Sequence, residues 1–192
     1  MDKGAGTSGK LGPGALVLVV GPSGVGKDTL LTALKERLQG NDEVVFARRA
    51  ITREADENSE DHATLSMDAF SDLVALGEVA LSWEAHGLGY VLPKTYDADI
   101  QAGKTVIANG SRRALRTAQE KYAHFKVLLI TAPIPVLAER LAARGRETRS
   151  EIEQRLSHAD MSVEPEFDLV EIENTGPIEA GVDRILSALK IG

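Results

Sequence analysis

The chain has 192 residues, a length that fits one domain with one main core, and a net charge of −7. That acidity speaks against a broad nucleic-acid or membrane-binding surface. The lack of cysteine excludes disulfides and thiolate metal sites, and no apolar run approaches the roughly 18–20 residues of a membrane span, so a cytoplasmic protein is expected.

Residues 1–14 are Gly-rich without the apolar stretch of a signal peptide, and read as a flexible tail. Ala15 to Val20 is a short, continuous apolar run, as a strand buried on both faces requires. GPSGVGK follows, then a helix from Asp28 to about Gln39. A second strand is expected from Glu43 to Ala50, ahead of a polar stretch rich in charge and turn signals. Asp68 to Leu76 has the spacing of a short amphipathic helix, with Ser66 or Met67 near its cap and Gly77 as its stop. Glu78 to Tyr90 alternates as two short strands joined near His86.

Pro93 opens a helix to about Ala102, and Lys104 to Ala108 is a buried strand. A helix from Ser111 to Tyr122, a strand from Phe125 to Thr131 and a helix from Pro135 to Arg144 come next. The spacing then predicts a helix over Arg149 to Met161, a strand over Asp168 to Glu173 and a last helix over Pro177 to Lys190. Strands alternating with helices mean an α/β fold with a parallel central sheet in three layers, interrupted by a small insertion at about residues 52–92.

The most informative segment is Gly21-Pro22-Ser23-Gly24-Val25-Gly26-Lys27. The glycines let the backbone curl and turn successive N–H groups toward an anion, and Lys27 adds a charge at the mouth of a helix whose N-terminus is partly positive. This spacing between a strand and a helix is the P-loop of nucleoside-triphosphate binders. Such loops usually continue with Ser or Thr, whose hydroxyl ligates magnesium; here Asp28 follows, with Thr29 after it. No strand ends in the Asp that usually shares the metal: VIANG ends in Asn109-Gly110 and VLLIT in Thr131. Asp28 is therefore the leading carboxylate for magnesium, with Thr29 behind it; the alternative is a charge that only stabilises the helix dipole.

Arg outnumbers Lys, 13 to 9, and most of the Arg fall in three short windows around residues 48–53, 112–116 and 140–149. An acidic chain that gathers Arg into patches suits the gripping of small phosphates, because the guanidinium fork matches phosphate oxygens bidentately. The first two windows end expected strands, where a parallel sheet presents its ligand crevice.

Five segments, GPSGVGKDTL, ARRAITREADENSEDH, ALSWEAHGLGYVLP, VIANGSRRAL and RLAARGRETRSEIEQRL, together resemble the ribose 1,5-bisphosphate phosphokinase family, on the guanylate-kinase-like branch of small P-loop kinases. Val91 departs from the pattern, which has Gly there. The resemblance implies ATP and Mg²⁺, transfer of the γ-phosphate to ribose 1,5-bisphosphate to give 5-phosphoribosyl 1-diphosphate, and a role in phosphonate breakdown. It also implies small-molecule partners without nucleic acid or membrane, and leaves a homodimer open. Under it Arg53, then Arg49, grips the acceptor phosphate, and Glu60 and His62 occupy the acceptor-recognition stretch, with solvated charge as the alternative. Trp83 either lines the acceptor site or is core, His86 is a turn residue or a substrate contact, and Arg112 meets a phosphate. Arg140 binds nucleotide, and Arg144 and Arg155 act with Lys27 on the transferring phosphate, in a lid over residues 140–155; a solvated helix hairpin is the alternative. Two further alternatives stand beside this one: a guanylate-type nucleoside-monophosphate kinase, and a guanylate-kinase-like binding module without catalysis.

Overall fold

Alternate residues of the first strand, β1 (Leu11–Val20), enter two different cores. In the computed structural model, which describes residues 9–53, 62–85, 87–143, 152, 153, 156, 163 and 166–191, Leu16, Leu18 and Val20 pack on one face with Leu115, Ala118 and Tyr122. Val17 and Val19 pack on the other with Leu30, Leu34, Leu137 and Ile185. A strand buried on both faces belongs in the middle of a parallel sheet. The order is β2 (Val44–Ala47), β7 (Thr105–Asn109), β1, β8 (Tyr122–Thr131) and β9 (Leu169–Glu173), every neighbouring pair parallel. Helices α1 (Lys27–Arg37), α5 (Ile134–Ala142) and α6 (Ile178–Leu189) cover one face. Helices α3 (Thr95–Gln101) and α4 (Leu115–Lys121) cover the other, with a second, smaller sheet.

That second sheet runs β4 (Ala63–Thr64), β3 (Ala50–Ile51), β6 (Leu88–Pro93) and β5 (Val79–Ala85). Its strands lie between Ala50 and Pro93, across the stretch read from the sequence as an insertion, on a hydrophobic floor of Leu81, Trp83 and Leu92. Helix α2 (Met67–Ala75) starts where Ser66 caps it, its Oγ accepting from the Ala69 N–H at 3.1 Å. Phe70 of α2 lies against Gly89 so closely that a Cβ there would stand 2.7 Å from the ring.

The structure corrects several boundaries. β1 begins at Leu11, inside the expected tail, because Leu11 pairs with Tyr122 and the bare Gly14 lets the strand run against the backbone of Ile100 and Lys104. The strand expected over Glu43 to Ala50 is broken. β2 ends at Ala47, paired with Ala108, and the chain then leaves the central sheet; Ala50 and Ile51 pair with β4 and β6 instead. Arg48 and Arg49 are thus the crossing between two sheets, a change of partner that hydrophobic periodicity does not register. Pro93 closes β6 rather than opening a helix, and the segment after Ser111 begins as a 3-10 turn over Arg112–Ala114. The helix expected over Arg149 to Met161 lies largely outside the described residues.

The two sheets are tied at Tyr122, which is 1% exposed. Its hydroxyl donates to Asp97 Oδ1 at 2.7 Å, and Asp97 also receives Lys121 Nζ at 2.7 Å. Lys121 Nζ reaches the Ala80 carbonyl of β5 as well, at 2.8 Å. Burial, then the bond to Asp97, drive the Tyr122 phenol far above its ordinary value, so it stays a donor. Tyr122→Phe leaves Asp97 short of a donor and is expected to lower unfolding free energy by about 1–3 kcal/mol. Urea denaturation checks this: a midpoint unchanged from wild type contradicts it.

Candidate active site

The phosphate loop is set by what lies behind it. Gly24 and Gly26 have φ of 80° and 91°, in the left-handed region that side chains rarely adopt. A Cβ on Gly24 would stand 2.8 Å from Leu141 Cγ, and one on Gly26 2.7 Å from Asn174 Nδ2. Asn174, buried just after β9, donates from Nδ2 to the Val25 carbonyl at 2.8 Å. Arg140 of α5 donates to that carbonyl at 3.3 Å and to the Asn174 carbonyl at 3.0 Å. These bonds hold the Val25 carbonyl on the rear of the loop. Lys27 closes the front: Nζ donates to the carbonyls of Gly21 and Pro22 at 2.9 and 3.1 Å. Helix α1 starts at Lys27, so its unsatisfied N–H groups open at the loop.

Beside the loop runs a cleft between α1 and the C-terminal ends of β2 and β7. Asp28, Leu31, Thr32 and Lys35, spaced as one helix face, form one wall, and Arg48, Arg49 and Asn109 stand in the other. Across the cleft floor Asn109 Nδ2 donates to Asp28 Oδ1 at 2.7 Å. Arg49 Nη1 donates to the Asn109 carbonyl at 3.4 Å, and its guanidinium carbon lies 5.4 Å from the centre of the Tyr90 ring. Tyr90 is itself stacked on Trp83, with centroids 5.4 Å apart and planes 4° from parallel. Trp83, Tyr90 and Arg49 therefore form one column from the core of the second sheet to the cleft. Burial pulls the Arg49 guanidinium below the ordinary arginine value and Arg53 adds to the drop, while Asp28 and Tyr90 oppose it. Arginine's ordinary value is so high that the group keeps its charge.

The cleft brings together Asp28 and Arg49 of the residues expected to form a site, with Lys27 of the adjoining loop. Thr29 is exposed and is not among the cleft-lining residues; Arg53 is exposed at the end of β3. His62 is buried, with Arg48 Nη2 donating to its carbonyl at 3.1 Å. Burial first, then the charges of Arg53, Arg49 and Arg48, hold its imidazole below the usual range, so it is neutral at pH 7. Trp83, 6% exposed, stands behind Tyr90 in the core. Arg112 opens the turn after β7, on the same edge of the sheet as the loop. Arg140 braces the loop from behind. Arg144, Arg155, Glu60 and His86 lie outside the described residues.

Sequence reasoning did not find Tyr90, Lys35 or the bond from Asn109 to Asp28, and it placed Asn174 after the last strand, beside the adenine, rather than behind the loop. Tyr90 could have been found as the cross-strand neighbour of Trp83 in the expected hairpin, and Lys35 as the residue two turns after Asp28 on one helix face. The bond of Asn174 to the Val25 carbonyl carries no such signal, because it spans 149 positions.

A phosphate loop, a cationic cleft and a parallel sheet of this order agree with the likeness to known proteins. A family model described as an AAA domain matches residues 16–163. Ribose 1,5-bisphosphate phosphokinase PhnN of Rhizobium etli is 41% identical over 176 residues, covering 92% of this chain and 89% of the relative. The protein of the same name from Rhodopseudomonas palustris is 45% identical over 182 residues, covering 95% and 91%. Among solved structures, guanylate kinase from Anaplasma phagocytophilum superposes with a TM-score of 0.66 at 20% identity, covering 94% of this chain and 86% of that one, a likeness of fold. On the strength of these matches over nearly its whole length, the chain belongs to the ribose 1,5-bisphosphate phosphokinase family, built on the P-loop fold it shares with guanylate kinase.

Proposed function

We propose that the protein transfers the γ-phosphate of ATP to ribose 1,5-bisphosphate, releasing ADP and 5-phosphoribosyl 1-diphosphate. One observation carries this reading beyond the family: among the described residues, the cleft beside the phosphate loop holds Lys35, Arg48 and Arg49 against one carboxylate, Asp28. Such a surplus of cations suits a small acceptor carrying two phosphates, and it favours the bisphosphate over a nucleoside monophosphate. Cytoplasmic location and a role in phosphonate breakdown belong to the same proposal; no helix among the described residues is long and apolar enough to cross a membrane.

The chemistry needs charge neutralisation and alignment more than proton transfer. A phosphate monoester has its second pKa near about 6, so the acceptor oxygen is already anionic at neutral pH. The loop N–H groups and Lys27 receive the donor phosphates. Lys27 now rests on two backbone carbonyls, and exchanging them for phosphate oxygens costs it no hydrogen bonds. Arg49, held on Tyr90 and partly stripped of water, meets the acceptor with its fork, and Arg53, whose charge reaches Arg49, assists it. Arg144, Arg155 and Arg112 are proposed to complete the positive shell, with Gly21 to Thr29 and Arg140 forming the nucleotide side.

The donor set fits magnesium. Asp28 offers an exposed carboxylate whose Oδ2 has no hydrogen bond among the described residues, and Thr29 offers a hydroxyl nearby in sequence. No cluster of three or more acidic or histidine ligands occurs among the described residues, which agrees with a metal held mainly by phosphates and water. Bound there, magnesium would neutralise charge developing on the transferring phosphoryl group.

A coupled ADP-release assay tests the activity: turnover is expected with ribose 1,5-bisphosphate and little with GMP. Turnover with GMP alone would make the protein a nucleoside-monophosphate kinase, and none with either would make it a binding module. Lys27→Ala is expected to lower kcat on the order of 10²–10³-fold in a folded protein; wild-type turnover removes the catalytic role of Lys27. Arg49→Lys keeps the charge but loses the fork and the flat contact with Tyr90. It is expected to raise the KM for ribose 1,5-bisphosphate about tenfold, the loss of one charged hydrogen bond, with the KM for ATP little changed. Equal shifts in both constants would contradict the placement of Arg49 on the acceptor side.

A further inference from the structure

Phosphate-loop enzymes commonly hold magnesium through a neutral hydroxyl at the start of the loop helix and a carboxylate at the end of a neighbouring strand. Both positions can be identified in this chain. The helix position is Asp28, the residue after Lys27. The strand position is Asn109, because β7 lies parallel to β1 with Asn109 paired to Val19, two residues before Gly21 opens the loop. Each position carries the opposite type of group: the carboxylate is on the helix and the neutral side chain is on the strand. The two side chains meet, Asn109 Nδ2 to Asp28 Oδ1, at 2.7 Å.

Resting on the proposal that the protein uses a magnesium–nucleotide complex, we infer that Asp28 and Asn109 have exchanged the usual places of carboxylate and neutral partner, and that Asn109 is the positioning residue for the Asp28 carboxylate. An amide is what the exchange requires. A carboxylate at position 109 would repel Asp28, whereas Nδ2 donates to Oδ1 and leaves Oδ2 to face a cation. The remaining contacts of Asn109 point the same way. Its Oδ1 is buried with no hydrogen-bond partner among the described residues, so the side chain is not retained to satisfy a polar network; its one side-chain bond goes to Asp28. Its backbone is fixed on both sides, the carbonyl accepting from Arg49 at 3.4 Å and the next N–H, of Gly110, donating to the Val19 carbonyl at 3.0 Å. Gly110 itself is pressed against Leu18, where a Cβ would stand 3.0 Å from Cδ2. A strand end held this firmly makes a rigid base from which to orient a carboxylate across the cleft.

The test is a reciprocal exchange read by metal binding rather than by activity. Mn²⁺, a magnesium substitute with an electron paramagnetic resonance signal, is titrated into the full chain with ADP, and ADP binding without metal is measured beside it. Asp28→Ser and Asn109→Leu are each expected to weaken Mn²⁺ in the ADP complex about tenfold or more, the usual cost of losing a ligand's supporting partner. Metal-free ADP binding should not weaken in either variant, and Asp28→Ser is expected to tighten it by removing a negative charge near the phosphates. The double variant Asp28→Ser with Asn109→Asp restores the common arrangement and is expected to recover most of the loss. A double variant that binds Mn²⁺ no better than Asp28→Ser overturns the exchange, as does wild-type affinity in Asn109→Leu. If Asn109→Leu does not fold, the comparison of the double variant with Asp28→Ser decides. Wild-type protein that binds ADP and Mn²⁺ together while the exchange fails leaves the kinase reading standing; no metal-dependent ADP binding in wild type overturns both.

Discussion

The Val25 carbonyl governs the active site. A loop of seven residues can offer its N–H groups to a phosphate only if its carbonyls turn elsewhere, and a buried carbonyl without a donor is costly. Asn174 and Arg140 supply those donors from the far edge of the sheet and from α5, with bonds of 2.8 and 3.3 Å to Val25. The loop's shape is therefore set jointly by its own glycines and by two residues more than a hundred positions away. Glycine at positions 24 and 26 is needed twice over, for the backbone angle and for the close approach of Leu141 and Asn174.

The crossing at Arg48 and Arg49 makes the second constraint. The chain leaves the central sheet after Ala47, one residue short of the end of β7, and joins the other sheet at Ala50. Arg49 is consequently anchored by both: its guanidinium reaches the Asn109 carbonyl of the central sheet and lies over Tyr90 of the small one. A cation in that position is largely withdrawn from water, and burial pulls its pKa below the ordinary arginine value while Asp28 and Tyr90 oppose the drop. The stacked Trp83 behind Tyr90 adds rigidity without touching the cleft.

Charge is distributed to match. The molecule as a whole is acidic at −7, while the cleft carries Lys35 on one wall and Arg48 and Arg49 on the other. Global acidity discourages binding to polyanions in general, while the local cations make the cleft positive where the surface as a whole is negative. Asp28 faces these cations from the α1 wall, its carboxylate held by the Asn109 amide and offset by the Arg49 guanidinium.

Much of this protein is written locally in its chain. The run Ala15 to Val20, the glycines, Lys27 and the alternation of strands with helices each rest on short-range rules of burial, turn chemistry and spacing, and together they determined the parallel sheet and the phosphate loop. The concentration of Arg near strand ends was equally legible and led to Arg53 first and Arg49 second, of which Arg49 lines the cleft. What the tertiary structure alone decided are facts of partnership across long separations. That the expected second strand is divided between two sheets depends on where its pairing with β7 ends. That Trp83 is core while Tyr90 carries Arg49 depends on hairpin register. That Arg140 braces the loop from behind depends on the turn after β9, and that Asn109 meets Asp28 depends on β7 lying beside β1. Periodicity reports which face of an element is buried, never which distant side chain waits there, and hydrogen bonds between remote residues are chosen only when the core has brought their elements together.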